Sequence, residues 1–210
     1  MPYKRALVTG FESWADNPDN PTIDIAEAMQ RYRGKSASGS GIEVVTGILP
    51  VSFGDAPVEI RRLISKYGPD VVVETGLGAG REKIGYETRF RNEWYAMNAD
   101  NNGFKPKGGK ILRNGEDVLY ATWPADDIVQ TALHEGIPVE KSENARRYVC
   151  NTVAYLTMQH LGEGVSGTKA GFIHTPWTQN YAGRVDLSGK TTVKLDEAVR
   201  AVQIAVEQSL

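Results

Sequence analysis

The sequence has little of what several protein classes depend on. Its 210 residues include a single cysteine, Cys150, and three histidines. One cysteine cannot form an intramolecular disulfide, which excludes a small secreted scaffold held together by disulfides. The cysteine and the histidines show neither of the close spacings that are typical of zinc sites. We therefore predict no metal and no cofactor.

Long apolar segments and an excess of charge are missing as well. No stretch approaches the roughly 20 apolar residues that a membrane-spanning helix needs, and the N-terminal apolar run is too short for a signal peptide. Lysine and arginine number 24 against 26 aspartates and glutamates, a formal net charge of -2. A nucleic-acid-binding domain usually has a clearly basic balance. We expect a cytoplasmic protein that binds neither membranes nor nucleic acids.

What remains is the composition of a folded globular protein, with 40% hydrophobic and 24% charged residues. Short β-branched runs alternate with longer amphipathic segments, a pattern typical of βαβ units. This alternation predicts an α/β fold with a mainly parallel, twisted central sheet. We find no linker composition, and so predict a single domain over residues 1–210.

The apolar periodicity and the turn residues place the individual elements. Strands are predicted over 5–9, 42–49, 71–73, 139–141 and 171–174, and helices over 22–32, 55–67, 126–135, 147–160 and 194–208. Thr22 is the predicted N-cap of the first helix. The pattern weakens over 76–121, where it indicates a hairpin around 87–97 and a short strand near Ile111. Long irregular segments inside a domain are more often functional than accidental.

Three chemically active side chains lie at or beyond the ends of predicted strands: one in the irregular region after 71–73, one at the start of the helix after 139–141, and one at the end of 171–174. They are Glu87, Cys150 and His174. Ligands of open α/β sheets bind beyond the carboxyl ends of the strands, so this is where chemistry is expected. A thiol, an imidazole and a carboxylate form the nucleophile, the base and the orienting group of a cysteine hydrolase. The order of the residues alone does not establish that they meet.

Cys150 and His174 also have plainer, structural interpretations. Free cysteines are among the most buried residues, so Cys150 fits an inert core position. Its place in the first turn of a helix favours the functional interpretation, because the helix N-terminus lowers the pKa of a thiol. His134 and His160 end helices, where a cation is stabilised without any catalytic role. His174 instead leaves a buried strand at the edge where ligands bind, although a structural histidine fits there too.

The glycine-rich segment GLGAGR, residues 76–81, follows a central strand. It lacks the spacing of both the P-loop and the dinucleotide-binding motif, so a nucleotide-binding domain is a weak alternative. Its glycines indicate close approach of the backbone to another group, or a positive φ.

Together these motifs resemble those of the pyroglutamyl peptidase I family of cysteine peptidases, also called pyrrolidone-carboxylate peptidases. The resemblance runs through most of the chain. It is carried by LVTGFESW at 7–14, NPT at 20–22, ILPVSFG at 48–54, GLGAGR at 76–81, DNNG at 100–103, YATWP at 120–124, SENARRYVCN at 142–151 and GFIHTP at 171–176. The Tyr-Val-Cys-Asn and Phe-Ile-His-Thr-Pro motifs, in this order, are its most specific part.

This resemblance implies an α/β/α sandwich that removes N-terminal L-pyroglutamyl residues from peptides. It implies that Cys150 is the nucleophile, that His174 is the general base and acid, and that Glu87 orients His174. The implied substrate-binding residues are Asn20 for the lactam, Leu77 through its main chain, and the apolar pocket residues Phe11, Trp14, Tyr148 and Val149. It also implies a homo-oligomer, either a dimer or a tetramer.

Several positions depart from the family pattern. Trp14, Ala15 and Asp16 stand where a phenylalanine and two glycines are usual, so one pocket wall is larger and its loop has less glycine. Four further replacements are Arg146 for a glycine, Thr88 for a basic residue, Met97 for an arginine and Asn98 for an apolar residue. An alternative interpretation follows from these changes. The chain is then a divergent homologue that binds or hydrolyses a different small amide, or is inactive.

Overall fold

The computed structural model describes residues 3–14, 19–163 and 167–210. The strands are β1 (Lys4–Phe11), β2 (Ile42–Leu49), β3 (Val71–Leu77), β4 (Ile84–Glu87), β5 (Arg89–Arg91), β6 (Val118–Tyr120), β7 (Val139–Ser142), β8 (Lys169–Thr175), β9 (Trp177–Thr178) and β10 (Thr192–Val193). The helices are α1 (Pro21–Gln30), α2 (Asp55–Tyr67), α3 (Ala125–His134), α4 (Val149–Gly162) and α5 (Leu195–Ser209), with a short 3-10 helix at Gln179–Tyr181. Within these described ranges, no helix has the length and apolar character needed to cross a membrane.

Six strands form the central sheet in the order β2-β1-β3-β8-β4-β7. The first four strands in this order run parallel to one another. β4 pairs antiparallel with β8 and parallel with β7. The sheet is therefore mainly parallel, as the alternation of strands and helices predicts. Two small two-stranded sheets, β9 with β10 and β5 with β6, lie apart from it.

Helices cover both faces of the sheet. Side chains alternate between the two faces of a strand, and in β1 Ala6 and Val8 join one apolar cluster whereas Leu7 and Phe11 join the other. The first cluster includes residues of α1, α3 and α5, and the second includes residues of α2 and α4. This arrangement confirms the predicted α/β/α sandwich.

The first helix begins earlier than predicted. Asn20 is its N-cap, because the Asn20 side-chain oxygen accepts a hydrogen bond from the backbone N–H of Thr22 at 3.1 Å. Pro21 is the first helical residue, a position that suits the fixed φ of proline and its missing N–H. The prediction that Thr22 caps this helix is therefore wrong.

The region after β3 also differs from the prediction. The hairpin expected around 87–97 is wrong, because β5 pairs with β6, from a distant part of the chain, and β4 joins the central sheet. The strand expected near Ile111 is wrong too. The buried Asn92 amide donates to the carbonyls of Leu112 and Gly115, at 2.8 and 3.1 Å, and accepts from the N–H of Leu112 at 2.8 Å. The backbone next to Ile111 thus bonds to a side chain rather than to a neighbouring strand.

Candidate active site

A cleft of about 600 Å³ opens beyond the carboxyl ends of β3 and β8. Five of the nine predicted catalytic and substrate-binding residues line it, namely Trp14, Leu77, Tyr148, Cys150 and His174. The strand pairing explains this convergence, because β3 and β8 are neighbours and α4 begins above them. The cleft lies where ligands of open α/β sheets are expected.

The imidazole of His174 is hydrogen-bonded to the carboxylate of Glu87. The distance from His174 Nδ1 to Glu87 Oε1 is 2.8 Å, and both side chains are buried. The antiparallel register of β4 and β8 pairs Gly85 with His174. Glu87 is two positions further along the same face of β4, which makes it the diagonal neighbour of the histidine. The pair therefore follows directly from the sheet topology.

The thiol of Cys150 lies over Gly76 of β3, the residue that pairs with His174 in the sheet. Cys150 is the second residue of α4, whose N-cap, Tyr148, provides no side-chain hydrogen bond. A Cβ atom on Gly76 would lie 3.0 Å from the Cys150 sulfur and 2.7 Å from the ring of Phe172. Gly76 pairs with His174 in the β3–β8 register. The predicted close approach at this glycine is confirmed, and the groups that approach it are the Phe172 ring and the Cys150 sulfur.

Burial raises the pKa of the Cys150 thiol to about 12. The carboxyl groups of Glu74 and Glu87 act in the same direction, because a thiolate is disfavoured next to negative charge. The prediction that the position at the helix N-terminus gives this thiol a lowered pKa is therefore wrong, because burial and the two acids outweigh the lowering by the helix backbone. Part of Cys150 remains accessible from the cleft, but its sulfur is a neutral thiol at neutral pH.

The carboxyl group of Glu87 has the opposite shift. Burial alone would raise its pKa, but the hydrogen bond and charge of His174, together with the charge of Arg81, lower it. Burial lowers the pKa of His174; the bond to Glu87 opposes this shift, and the charges of Arg81 and Arg146 add to it. The pair thus consists of an ionised carboxylate and a neutral imidazole, with the proton on Nδ1 facing the carboxylate.

Arg81 is a site residue that sequence reasoning missed. Its guanidinium is nearly buried and has four partners, which are the carboxylates of Glu87 and, at 3.2 Å, Glu140, the hydroxyl of Ser142 at 3.2 Å, and the carbonyl of Asn144 at 3.1 Å. A Cβ atom on Gly78 would lie 2.8 Å from Arg81 Cδ, and one on Gly85 would lie 2.6 Å from its Nη1. The signal was present in the sequence, since Arg81 ends the glycine-rich segment. The glycines leave room for this side chain and for the sulfur, rather than for a phosphate.

Asn151 is a second site residue. It ends the Tyr-Val-Cys-Asn motif, but sequence reasoning assigned it no role. Its amide is buried and accepts from the N–H of Arg91 at 2.9 Å while it donates to the carbonyls of Arg91 and Glu93, at 2.9 and 3.0 Å. These bonds attach the start of α4 to the segment that continues from β5. Asn151 therefore fixes the helix turn that carries Cys150.

Aromatic rings form one wall of the cleft. The rings of Trp14 and Tyr148 are 5.3 Å apart, and Phe53 packs against Tyr148 at 5.1 Å. The indole N–H of Trp14 and the hydroxyl of Tyr148 both donate to the carbonyl of Ala99, at 3.2 and 3.1 Å. With their polar atoms satisfied in this way, the two rings present an apolar surface to a ligand.

Other predicted substrate-binding residues lie outside the cleft lining. Phe11 and Val149 are almost fully buried in the core beneath the cleft. Asn20 is buried at the start of α1, where its Nδ2 donates to the carbonyl of Glu12 at 3.0 Å and its Oδ1 accepts from Thr22. The polar atoms of Asn20 are thus already occupied by contacts within the chain.

Of the positions that depart from the family pattern, Trp14, Arg146, Met97 and Asn98 line the cleft. Thr88 does not, and it bonds instead to the backbone of Ser142. Ala15 and Asp16 lie outside the described residues. Among the residues that are described, no group of three or more His, Cys, Asp or Glu side chains is placed to hold a metal ion.

The fold and the cleft define a class of protein before any comparison is made. An α/β sandwich that gathers a thiol and an imidazole–carboxylate pair at the ends of its strands has the groups that cysteine hydrolases use. Comparison with known proteins then identifies the family. The model of the family described as pyroglutamyl peptidase matches residues 4–210.

Two curated relatives and two solved structures show how close the likeness is. The pyrrolidone-carboxylate peptidases of Oceanobacillus iheyensis and Chromobacterium violaceum are each 34% identical to this chain, over 85% of the chain and 87% of the first protein, and over 99% of the chain and 93% of the second. The pyrrolidone carboxyl peptidase from Thermococcus litoralis superposes with a TM-score of 0.89 at 31% identity, covering 98% of this chain and 93% of its own. The pyroglutamyl peptidase I of Bacillus amyloliquefaciens gives a TM-score of 0.88 at 26% identity, covering 98% and 97%. The chain belongs to the pyroglutamyl peptidase family, a family of peptidases, and the resemblance seen in the sequence is confirmed.

Proposed function

We propose that this chain is a cysteine peptidase that removes N-terminal L-pyroglutamyl residues from peptides. The observation that carries the proposal is the convergence of the Cys150 thiol and the His174 imidazole in one cleft, with the imidazole bonded to Glu87 at 2.8 Å. The substrate class comes from the relatives, whose names refer to pyrrolidone carboxylate, which is pyroglutamate.

The proposed reaction begins with attack of the Cys150 sulfur on the pyroglutamyl carbonyl. Because the thiol and the imidazole are both neutral, His174 takes the thiol proton during the attack rather than before it. The tetrahedral intermediate then collapses. The C–N bond breaks, the imidazolium gives its proton to the leaving amine, and a thioester remains on the sulfur. Water, deprotonated by the same imidazole, hydrolyses the thioester and restores the thiol.

Two further groups support this sequence of steps. The backbone N–H groups in the first turn of α4 are oriented toward the cleft end of the helix, and each such donor is commonly worth about 3 kcal/mol to an oxyanion. Glu87 holds the Nδ1 proton of His174, which leaves Nε2 as the nitrogen that exchanges protons. Arg81 in turn holds the Glu87 carboxylate.

The cleft suits a neutral, planar lactam. Pyroglutamate has no free α-amine and so needs no carboxylate anchor, and the described residues that line the cleft include no aspartate or glutamate. Trp14, Tyr148 and Leu77 offer apolar walls with main-chain groups nearby. The lactam contact of Asn20 and the pocket roles of Phe11 and Val149 stay predictions, since these residues are occupied in the core.

We further propose that residues 1–210 form one catalytic domain, in agreement with the family match over 4–210. A cytoplasmic location and a dimeric or tetrameric assembly stay predictions that rest on the single cysteine and on the family resemblance. Light scattering of the purified chain measures the assembly directly.

A fluorogenic pyroglutamyl amide tests the proposed function. We expect turnover that Cys150→Ala and iodoacetamide both abolish, because Cys150 is the only thiol in the chain. His134→Ala is the matched control, since this exposed histidine ends α3 and is not among the described residues that line the cleft. Absence of turnover with concentrated enzyme, or turnover that survives Cys150→Ala, contradicts the proposal.

A second candidate function follows from three of the four cleft residues that depart from the family pattern. Arg146, Met97 and Asn98 reshape the lining, which favours a homologue that takes a different small amide. Thermal-shift screening of lactams separates the two functions, because a ligand at 100 times its dissociation constant stabilises a protein by about 2.7 kcal/mol. A shift with another lactam and none with pyroglutamate would favour this second function.

A further inference from the structure

Arg146 has an unusual backbone conformation at the edge of the cleft. Its φ of 62° makes it the only non-glycine residue with a positive φ among those the structure describes. A residue with a Cβ atom is strained in this conformation, and a glycine would avoid the strain. The turn is held by a hydrogen bond from the Arg146 N–H to the Asn144 side chain at 3.2 Å and by the buried Ala145. A strained arginine kept at a cleft points to a use for its side chain.

Within the residues that the structure describes, the charge of the Arg146 guanidinium is not paired with an acid. In the described part of the chain, no carboxylate lies within 4.0 Å of it. The neighbouring Arg147 differs, because it pairs with Glu93 at 3.5 Å and lies over the ring of Tyr95. Arg146 is exposed, and one of its terminal nitrogens lies 4.0 Å from the position of a Cβ atom built on Gly80.

This cation acts on the space where the reaction is proposed to take place. Arg146 lines the same cleft as Cys150 and His174, and its charge contributes to the lowered pKa of His174. The leaving amine of the substrate takes its proton from this imidazole in the proposed reaction. The part of the peptide that follows pyroglutamate therefore leaves the cleft within the field of Arg146.

The mouth of the cleft is positive although the whole chain has a formal net charge of -2. Among the residues that the structure describes, the lining includes Arg146 and Arg147 and no acidic residue, although Glu93 pairs with Arg147 from outside the lining. A depression on the other side of Arg146 holds equal numbers of charged groups of each sign, namely Arg81, Lys83, Glu82 and Glu140. Glu140 is paired with Arg81, and Glu82 is matched in number by Lys83. The depression therefore has no excess of negative charge to cancel the charge of Arg146.

We propose that Arg146 forms an anion subsite that binds a carboxylate in the part of the substrate that follows pyroglutamate. The carboxylate is either the side chain of an acidic second residue or the free C-terminus of a short peptide. This inference rests on the proposed function and adds a charge preference to it. A guanidinium suits the role, because it presents paired donors to both oxygens of a carboxylate.

Peptides that differ in one charge test the subsite. We compare kcat/KM for C-terminally amidated pyroglutamyl peptides with Glu, Gln or Lys as the second residue. We expect Glu to exceed Gln by about fivefold, the effect of one partly exposed ion pair, and Lys to be the poorest. A pyroglutamyl-alanine peptide with a free or an amidated C-terminus tests the second source of the carboxylate. Each preference should shrink as the salt concentration rises.

Matched variants assign the preference to one side chain. Arg146→Gln keeps a Cβ atom in the same turn and removes the charge, so we expect the preference for Glu to disappear. Arg146→Lys should keep most of it. Arg147→Gln removes the neighbouring, paired charge, and we expect the preference to remain. Thermal melting of each variant shows whether the fold is retained.

Three results would overturn the subsite. The first is equal rates for the Glu, Gln and Lys peptides together with equal rates for the free and the amidated alanine peptide. The others are that Arg146→Gln lowers the rates of all substrates by the same factor, or raises them all. Dissociation constants of the same peptides for Cys150→Ala give the charge comparison without turnover. Binding without a charge preference contradicts the subsite alone. A lack of hydrolysis of every pyroglutamyl peptide by the unmodified enzyme contradicts the proposed function alone.

Discussion

Two opposing effects act on the Cys150 thiol. The N-terminus of α4 stabilises a thiolate, whereas burial and the carboxyl groups of Glu74 and Glu87 stabilise the thiol. The pKa of about 12 shows that burial and the two acids prevail in the ligand-free chain. The nucleophile is thus stored in its protonated form, and His174 must remove the proton when substrate binds.

This protonation state predicts how the free enzyme reacts with iodoacetamide. We expect the rate of Cys150 alkylation to rise with pH through pH 9 without levelling off, because the thiolate fraction grows about tenfold per pH unit below the pKa. Intact mass after timed quenching measures the rate, and the single cysteine makes the assignment unambiguous. The same series with a small thiol corrects for the reagent. A plateau near neutral pH would contradict the raised pKa.

At the residue scale, the positions of Cys150, His174 and Glu87 are open to sequence reasoning, because each lies at or beyond the end of a predicted strand and ligands bind at that edge. The role of Arg81 is not. Its partners come from strands far apart in the chain, and only the pairing of β4 with β7 brings them together. The raised pKa of the Cys150 thiol could not be predicted for the same reason. The start of the helix is visible in the local sequence, whereas burial of the thiol and its closeness to Glu74 depend on the fold.

At the scale of elements, Asn20 has a structural role that can be separated from substrate binding. As the N-cap of α1 it satisfies the N–H of Thr22. We expect Asn20→Ala to cost about 1 kcal/mol of unfolding free energy, a fall in Tm of about 2–4 °C for a chain of this size. Asn20→Ser should recover most of this loss, because serine is also a good N-cap.

Kinetics on the same variants separate the two roles of Asn20. With a capping role alone, KM for the fluorogenic substrate stays close to that of the unmodified enzyme in both variants. A rise in KM in both, without a fall in Tm, would contradict the capping role and favour the predicted lactam contact.

Elements bounded by local signals are those that the sequence predicts best. The bounds of β2 and α2 agree with the prediction, and α2 ends at Gly68, whose φ of 53° is the left-handed conformation that favours glycine. The failures lie in β5 and β6, whose residues carry no local sign of their partner. The polar residue Asn92 is buried and bonds to the backbone of Leu112, so it organises a loop rather than a hairpin turn.

At the scale of the whole molecule, Glu74 is a buried acid in the central strand β3. It is fully buried and accepts a hydrogen bond from the Thr157 hydroxyl at 2.8 Å. Burial raises its pKa from 4.5 to about 8. In the folded protein this carboxyl group therefore holds a proton at neutral pH, whereas in the unfolded chain it is ionised.

This difference predicts a pH dependence of stability. Between pH 4.5 and about 8 the folded state holds the proton that the unfolded chain has lost, so the Glu74 contribution to stability falls as pH rises through this window. Glu74→Gln cannot titrate and should escape this loss. We expect the Tm of Glu74→Gln, relative to that of the unmodified protein, to increase as the pH is raised from 4.5 to 8. A constant difference in Tm across this range would contradict the buried, protonated acid.

The overall architecture is predictable to a useful degree, because alternating β-branched and amphipathic segments specify strands and helices in turn. The antiparallel insertion of β4 between β8 and β7 is not, and this strand carries Glu87. The sequence therefore supports the presence of the three chemical groups, while their meeting depends on a sheet order that local patterns do not record.

The central claim is that Cys150 becomes acylated by the pyroglutamyl group. Acid quenching during turnover of a pyroglutamyl amide, followed by intact-mass and peptide-mass analysis, tests it directly. The account predicts an adduct of one pyroglutamyl group on the peptide that contains Cys150, which is absent from Cys150→Ala and disappears once substrate is exhausted. Release of pyroglutamate by the Cys150→Ala variant, or an adduct on any other residue, would contradict it.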